Sequence, residues 1–399
     1  MRIAIIGAGA SGLIAAGSCK GAETVVFEHT DKVGKKIYIT GKGRCNFTNL
    51  CDNETFLSNV VVNAPFLRSA LARFTPQDAV ELLNSHGCRT KIERGRRAFP
   101  QSDKASDVTK ALVRYAQDNG ADIRLYHEIK EIKPTNRGFK IDYIGGSEDF
   151  DKVIICTGGR SYPQTGSDGS AYELIKKLGH SIVSTVPSLV ALETAENVSA
   201  AEGLTLKNVS IACDGIKPIS GDLMITDRGI SGPIVLTLSA YAARRAYPYE
   251  VHIDLKPHVK SEELDARLVR EFGLQQNRQF KNAFDELLPK SIIPFIIERS
   301  GIPVARPINS VTKQERRNIV SLIKDFRLTI TGNEGFDRAV VTSGGVDVRQ
   351  VNPKTMESRI VRGLYFGGEV LDVDALTGGY NFHIALATGY VAGSSAAAV

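Results

Sequence analysis

Residues 1–28 read MRIAIIGAGASGLIAAGSCKGAETVVFE, and this stretch decides the fold. A short apolar run, Ile3 to Ile6, ends in Gly7-Ala8-Gly9-Ala10-Ser11-Gly12. A small-residue helical pattern continues to about Lys20, and a second apolar run, Thr24 to Phe27, ends in Glu28. Strand, glycine turn, helix, strand and acid in that order form the arrangement that binds an adenine dinucleotide. Gly7 permits the tight turn, Gly9 lets backbone approach a pyrophosphate, and Gly12 lets the helix pack on the strand. The helix N-terminus, with Ala10 and Ser11, presents N–H groups to the phosphates. Glu28 follows Gly7 by 21 positions, where a carboxylate accepts from a ribose 2′-OH and repels a 2′-phosphate. FAD or NAD therefore fits better than NADP. Arg2 and the apolar run also resemble a secretory signal, but the glycines interrupt the run, and cleavage would remove the first strand of a sheet.

Working outward, the chain of 399 residues is long enough for two or three domains with a substantial core. Its 42% hydrophobic and 24% charged content is that of an ordinary globular protein. No apolar run approaches the ~20 residues of a spanning helix, so a membrane partner is not expected. Six cysteines (Cys19, Cys45, Cys51, Cys88, Cys156, Cys213) are scattered without zinc spacing and read as free thiols in a reducing cytoplasm. The net charge of +6 is mild. Lys256 to Arg327 holds 14 Lys/Arg against 9 Asp/Glu, alternating at helical spacing. That reads as a solvated helical face rather than a nucleic-acid surface.

Beyond Glu28, Lys35-Lys36 and the run Gly41-Lys42-Gly43-Arg44-Cys45-Asn46 place glycines, cations and amides in a loop. Such a loop is expected to wrap the diphosphate and the flavin edge through N–H groups and Arg44. Helices are predicted over Ala64–Phe74, Pro76–Ser85 (N-cap Thr75) and from Ser102 to Gly120. A strand at Asp122–Leu125 and a hairpin around Thr135–Gly138 follow. The strand Lys152–Cys156 then delivers Thr157-Gly158-Gly159, small residues where backbone passes close to a cofactor. Near Val186 the pattern turns antiparallel, with strands predicted at Pro187–Glu193, Leu206–Asp214, Gly221–Ile225, Tyr249–Leu255 and Arg327–Thr331. Ser261 to Ile323 is helix-rich. From Phe336 the chain returns, and the strand Leu364–Phe366 runs into Gly367-Gly368-Glu369. Asp372 and Gly378-Gly379-Tyr380-Asn381-Phe382 then open a small-residue C-terminal helix whose N-terminus is a second place for a flavin's polar edge.

The predicted fold class is α/β: a Rossmann-like FAD-binding domain (1–185 and 336–399), an inserted antiparallel, barrel-like β-domain (186–260 and 324–335) and a helical subdomain (261–323). One dinucleotide fingerprint is present, so FAD is the resident ligand. NAD(P)H would dock transiently over it, or another donor reduces it.

The segments GAGASG with Glu28, GKKIYITGKGRCNFTN, RRAFPQSDKASDV, ICTGGRSYPQTGSDGSAY, TDRGISGP, VTSGGVDV, TMES and GLYFGGEVLDVDALTGGYNFHIA span nearly the whole chain. Together they resemble the bacterial BaiN-like flavoprotein family, some members of which are labelled aminoacetone-oxidase-like. The resemblance implies FAD in an extended pose and two insertions, one barrel-like and one helical. It also implies that Thr157–Gly159 and Gly368–Phe382 surround the flavin, and that a C=C bond conjugated to a ketone, in a steroid or bile-acid-like small molecule, is reduced. Two positions depart from the family pattern: Thr226-Asp227 stands where Thr-His is usual, and His383 where Gln is common. Candidate proton donors near the flavin include Tyr162, Tyr380 and His383. The competing readings are a flavin oxidase of a small amine or aminoketone, a flavin-dependent RNA-modifying enzyme, and a flavin-bound redox sensor without turnover.

Overall fold

The computed structural model describes residues 1–274 and 278–398; positions 275–277 of the predicted helix-rich stretch lie outside them. The chain separates into two compact units, Met1–Ser188 with Phe336–Val399, and Leu189–Gly335.

The first unit is built on a five-stranded parallel sheet in the order Leu364–Phe366, Lys152–Ile155, Arg2–Ile6, Glu23–Phe27, Ala121–Arg124. Arg2–Ile6 lies in the middle, with Ile3 opposite Lys152 on one side and Thr24 on the other. Its apolar residues are buried because helices cover the sheet, as a parallel sheet requires. The opening helix is Ala10–Ser18, two residues shorter than its pattern suggests, and nearly every residue in it is buried. Its small side chains are explained by the C-terminal helix Tyr380–Ala397. A methyl group added at Gly389 or Gly393 would stand 2.4 Å from Ser11 O or 2.2 Å from Ala15 O. The two helices therefore touch backbone to backbone.

Around this sheet, Ile129–Thr135, Gly138–Tyr143 and Gly146–Phe150 form an antiparallel meander. The predicted helix at Ala64–Phe74 divides into a 3₁₀ turn, Ala64–Leu67, and a helix, Arg68–Arg73. Thr75 caps Pro76–Ser85 through a reciprocal capping box with Asp78. The helix expected from Ser102 starts at Ala105.

The second unit contains a closed six-stranded barrel, in the order Leu192–Thr194, Gly229–Ser231, Ile216–Ile225, Thr205–Cys213, Tyr249–Asp254, Phe326–Asn333. The expected strand Pro187–Glu193 is two strands. Ile182–Ser188 pairs with Val341–Val346 in the first unit, and Leu192–Thr194 belongs to the barrel. The short strand Gly229–Ser231 carries too few residues to show alternation and was not predicted. Helices Ser261–Leu274, Ile293–Ser300 and Lys313–Lys324 share one hydrophobic core with the barrel through Leu264, Ile296, Ile319 and Leu328. The predicted helical stretch thus packs as part of the barrel unit.

Candidate functional site

Within the first unit a cavity of ≈580 Å³ opens at the C-terminal ends of the parallel strands. That volume is in the range of small-molecule and cofactor sites, roughly 300–1,000 Å³. Its floor is the glycine turn. Gly7 has φ +103°, and a Cβ there would stand 2.6 Å from Cys156 O, so only glycine fits. A Cβ on Gly12 would lie 1.8 Å from Gly7 O, which is the close helix–strand approach the spacing predicts. A Cβ on Gly9 would meet nothing within 4 Å, because Gly9 faces the open cavity. Glu28 lines the same cavity, 8% exposed. Its carboxylate accepts from Ala8 N (3.0 Å) and Thr30 N (2.9 Å), which fixes its direction and leaves lone pairs for a ribose.

A second wall is held by an ion-paired network. Lys36 Nζ donates to Glu369 Oε2 and to Ser161 Oγ, both at 2.6 Å. Glu369 Oε1 accepts from Ser161 Oγ (2.9 Å) and Thr342 N (2.8 Å). Four distant segments are joined at one carboxylate, and Gly159 packs against it: a Cβ there would stand 2.4 Å from Thr342 Oγ1.

The cavity brings together Gly7, Gly9, Ala10, Ser11, Glu28, Lys35, Lys36, Thr157, Gly158, Gly368, Glu369, Asn381 and Phe382 of the predicted cofactor residues. Gly12 and Gly159 lie just behind its lining. Asn381 has its amide engaged: Nδ2 donates to Ala375 O (2.6 Å) and Oδ1 accepts from Ala375 N (2.9 Å), so its side chain pins a loop.

Gly43, Arg44, Cys45, Asn46, Asp372, Gly379 and Tyr380 do not line the cavity. Arg44 corrects the expectation most clearly. Its guanidinium pairs with Glu93 and Asp103 and lies over the Phe99 ring, which ties the loop to a hairpin. Cys45 is fully buried, which pushes its thiol pKa up and keeps it protonated. Asn46 packs against Gly379, where a Cβ would stand 2.8 Å from Asn46 Oδ1. Asp372 receives the Asn63 amide through its carbonyl at 2.6 Å.

The three proton-donor candidates also lie off the cavity lining. Tyr162 sits at φ 53° at the head of a 3₁₀ turn. Tyr380 packs edge-on to Phe56 at 5.0 Å, and burial pushes its pKa up to about 12. His383 is fully buried, stacked on Phe74 at 5.9 Å, with Nε2 donating to Phe74 O at 3.2 Å. Burial lowers its pKa to about 4, so it is neutral and held in an aromatic core. Asp227, one of the departures from the family pattern, is exposed in the second unit.

Sequence reasoning missed Ser167, Tyr172, His127 and Val340, which all line the cavity. The first two belong to the segment TGSDGSAY, whose resemblance to the family was the one sequence signal there. Thr157 Oγ1, Ser167 Oγ and Tyr172 Oη are buried without a hydrogen-bond partner. Buried hydroxyls normally find partners, so three orphans in one cavity fit a ligand rich in hydroxyl and phosphate oxygens. The open face at Gly9, the turn's N–H groups and Glu28 fit the diphosphate and ribose of FAD.

Comparison with known proteins agrees with this geometry. The chain is 32% identical over 407 residues to a 3-dehydro-bile acid delta(4,6)-reductase of Clostridium scindens, covering 99% of both. It is 33% identical over 385 residues to a ribosomal RNA dihydrouridine synthase of Escherichia coli, covering 95% of this chain and 93% of the relative. In fold it resembles a 3-ketosteroid-delta4-(5alpha)-dehydrogenase of Rhodococcus jostii with TM-score 0.54 and 12% identity, covering 100% and 96%. Residues 1–395 match the HI0933-like protein Rossmann domain, and the chain belongs to that family as an FAD-binding flavoprotein oxidoreductase.

Proposed function

We propose that the chain reduces a C=C bond conjugated to a carbonyl in a steroid-like small molecule. The observation that carries this is the single cavity holding the phosphate turn, Glu28 and the orphan hydroxyls, in a family with a bile-acid reductase among its members. When bound and reduced by an electron donor, FAD would supply the hydride. The chain's own residues hold the cofactor: the turn Gly7–Gly12 takes the diphosphate, Glu28 the ribose, and Lys36, Ser161 and Glu369 fix the opposite wall. Apolar side chains at Val340, Val373 and Phe382 line the cavity. NAD(P)H is the proposed electron source, docking transiently, since the sequence carries one dinucleotide fingerprint. No helix among the described residues is long and apolar enough to cross a membrane, and the six free cysteines suit a reducing cytoplasm.

A second reading, uridine reduction in RNA, is favoured by two observations. Curated relatives carry the name ribosomal RNA dihydrouridine synthase. In the second unit, Arg270, Lys281 and Lys290 are exposed and have no ion pair among the described residues, whereas Arg267, Arg306 and Arg316 are paired. The bond reduced in uracil is also conjugated to a carbonyl, so the two readings differ in what bears the bond. Anaerobic photoreduction followed by mixing separates them. Rapid flavin reoxidation by a 4-en-3-one steroid, with gain of two hydrogens in the product, supports the first reading. Reoxidation only by a uridine-containing ribosomal RNA fragment replaces it with the second. Reoxidation only by O₂ with peroxide release would assign an oxidase, and no turnover with any of the three would leave a redox sensor. Parallel reduction with NADH and NADPH tests the donor.

A further inference from the structure

We infer that Thr157, Ser167 and Tyr172 form a hydroxyl strip that binds the diphosphate–ribityl middle of FAD. All three line the cavity, and each hydroxyl is buried without a partner. Ser167 is 6% and Tyr172 5% exposed, so solvent does not satisfy them.

Their placement gives the strip a direction. Thr157 follows the strand Lys152–Ile155 and lies beside the phosphate turn: a Cβ on Gly7 would stand 3.2 Å from Thr157 Cα. Ser167 is next, since a Cβ on Gly158 would stand 2.7 Å from Ser167 Oγ. Tyr172, in the helix Ala171–Lys177, completes the run within reach of the Glu369 charge. Burial raises the pKa of its hydroxyl, and the Glu369 charge adds to the rise, so it stays a neutral donor. The strip therefore leads from the diphosphate-binding turn toward the Lys36–Glu369 pair.

The chemistry narrows the ligand segment. Glu28 and His127 both line the cavity, joined by a backbone bond from His127 N to Glu28 O at 2.9 Å, and form the polar ribose side. Val340, Val373 and Phe382 offer apolar surface suited to a ring. Three neutral hydroxyls that donate and accept do not match a flat apolar ring. They match phosphate oxygens and the hydroxyls of a sugar-alcohol chain.

This inference rests on FAD as the resident ligand and not on the reaction. The test uses the full chain stripped of flavin, titrated calorimetrically with FAD, ADP-ribose and AMP. Ser167→Ala, Tyr172→Phe and Thr157→Val should each weaken FAD and ADP-ribose by about fivefold or more and leave AMP within about twofold. Removing an orphan hydroxyl should leave the flavin-free melting temperature unchanged or raised, while the rise on adding FAD shrinks. A variant that lowered the flavin-free melting temperature would be a packing defect and would overturn the assignment for that residue. Unchanged FAD affinity overturns the inference, as does an equal loss of AMP, which would move the hydroxyls to the adenosine. Failure of the parent chain to bind FAD would sink the cofactor reading itself, a result distinct from either.

Discussion

The turn Gly7–Gly12 and the loop Gly41–Asn46 use similar residues, and the fold puts them to opposite use. Both are rich in glycine, with alanine and serine between in the turn and Lys42, Arg44, Cys45 and Asn46 in the loop. The turn ends a central parallel strand, so its N–H groups open on the cavity and its glycines are demanded by backbone a few ångströms away. The loop ends no sheet strand. Its cation meets Glu93 and Asp103, its cysteine is buried, and none of Gly43 to Asn46 reaches the cavity lining. Composition proposes a phosphate site, and position at the end of a buried strand selects one. The same division separates Gly368–Glu369, which line the cavity, from Tyr380 and His383, which pack beneath it among aromatic rings.

The comparison breaks first at Gly12. Gly12→Val drives a side chain into Gly7 O, which is backbone and cannot yield. The variant should lose more than about 3 kcal/mol and purify without flavin. A yellow protein with the parent's melting temperature would mean that the turn is not close-packed.

His383 tests the packed side. Its folded pKa of about 4 lies below the ordinary 6.5, so between those values the unfolded chain binds a proton that the folded chain refuses. The associated stability is present above pH 6.5 and is lost as pH falls toward 4, by roughly 3 kcal/mol at ~1.4 kcal/mol per unit. His383→Gln should flatten this part of the decline. Urea unfolding of both proteins at pH 7 and 4.5 measures it, and parallel declines would show that His383 does not titrate as a buried group.

What was legible in the sequence follows the same physics. The sheet's central strands, Glu28 and the strand-end segments Thr157-Gly158 and Gly368-Glu369 were readable because local spacing alone sets where they point. Arg44, Tyr380 and His383 lie off the cavity lining because their orientation depends on Glu93, Asp103, Phe56 and Phe74, partners distant in sequence. Ser167 and Tyr172 were overlooked because a serine and a tyrosine carry no spacing signal. What makes them informative is burial without a partner, which only the fold reveals.

Gly9 sharpens the contrast within the turn itself. Its φ of −80° suits any residue, and a Cβ there meets nothing. Gly9→Ala should fold like the parent yet place a methyl group where the diphosphate approaches, weakening FAD by about tenfold, or ~1.4 kcal/mol. Titration of the flavin-stripped protein, beside its melting temperature, reads the two effects separately. Equal loss of both would make Gly9 a second Gly12.

The smallest effect is expected at Arg44, and it is informative for that reason. If the loop bound phosphate, Arg44→Ala would cost FAD a charge-assisted contact and tenfold or more in affinity. In the structure the guanidinium answers Glu93 and Asp103, whose pKa values it helps to hold below the ordinary carboxylate values. Lys91 also reaches Asp103 at 2.6 Å and Glu93 at 3.5 Å, so both acids keep a partner after the substitution. The network is solvent-screened, and exposed pairs of this kind contribute little. Arg44→Ala should therefore leave FAD affinity within about twofold and lower the melting temperature slightly, with the difference shrinking as salt is raised. A large, salt-independent loss of FAD would return the loop to the cofactor and erase the distinction between the two segments.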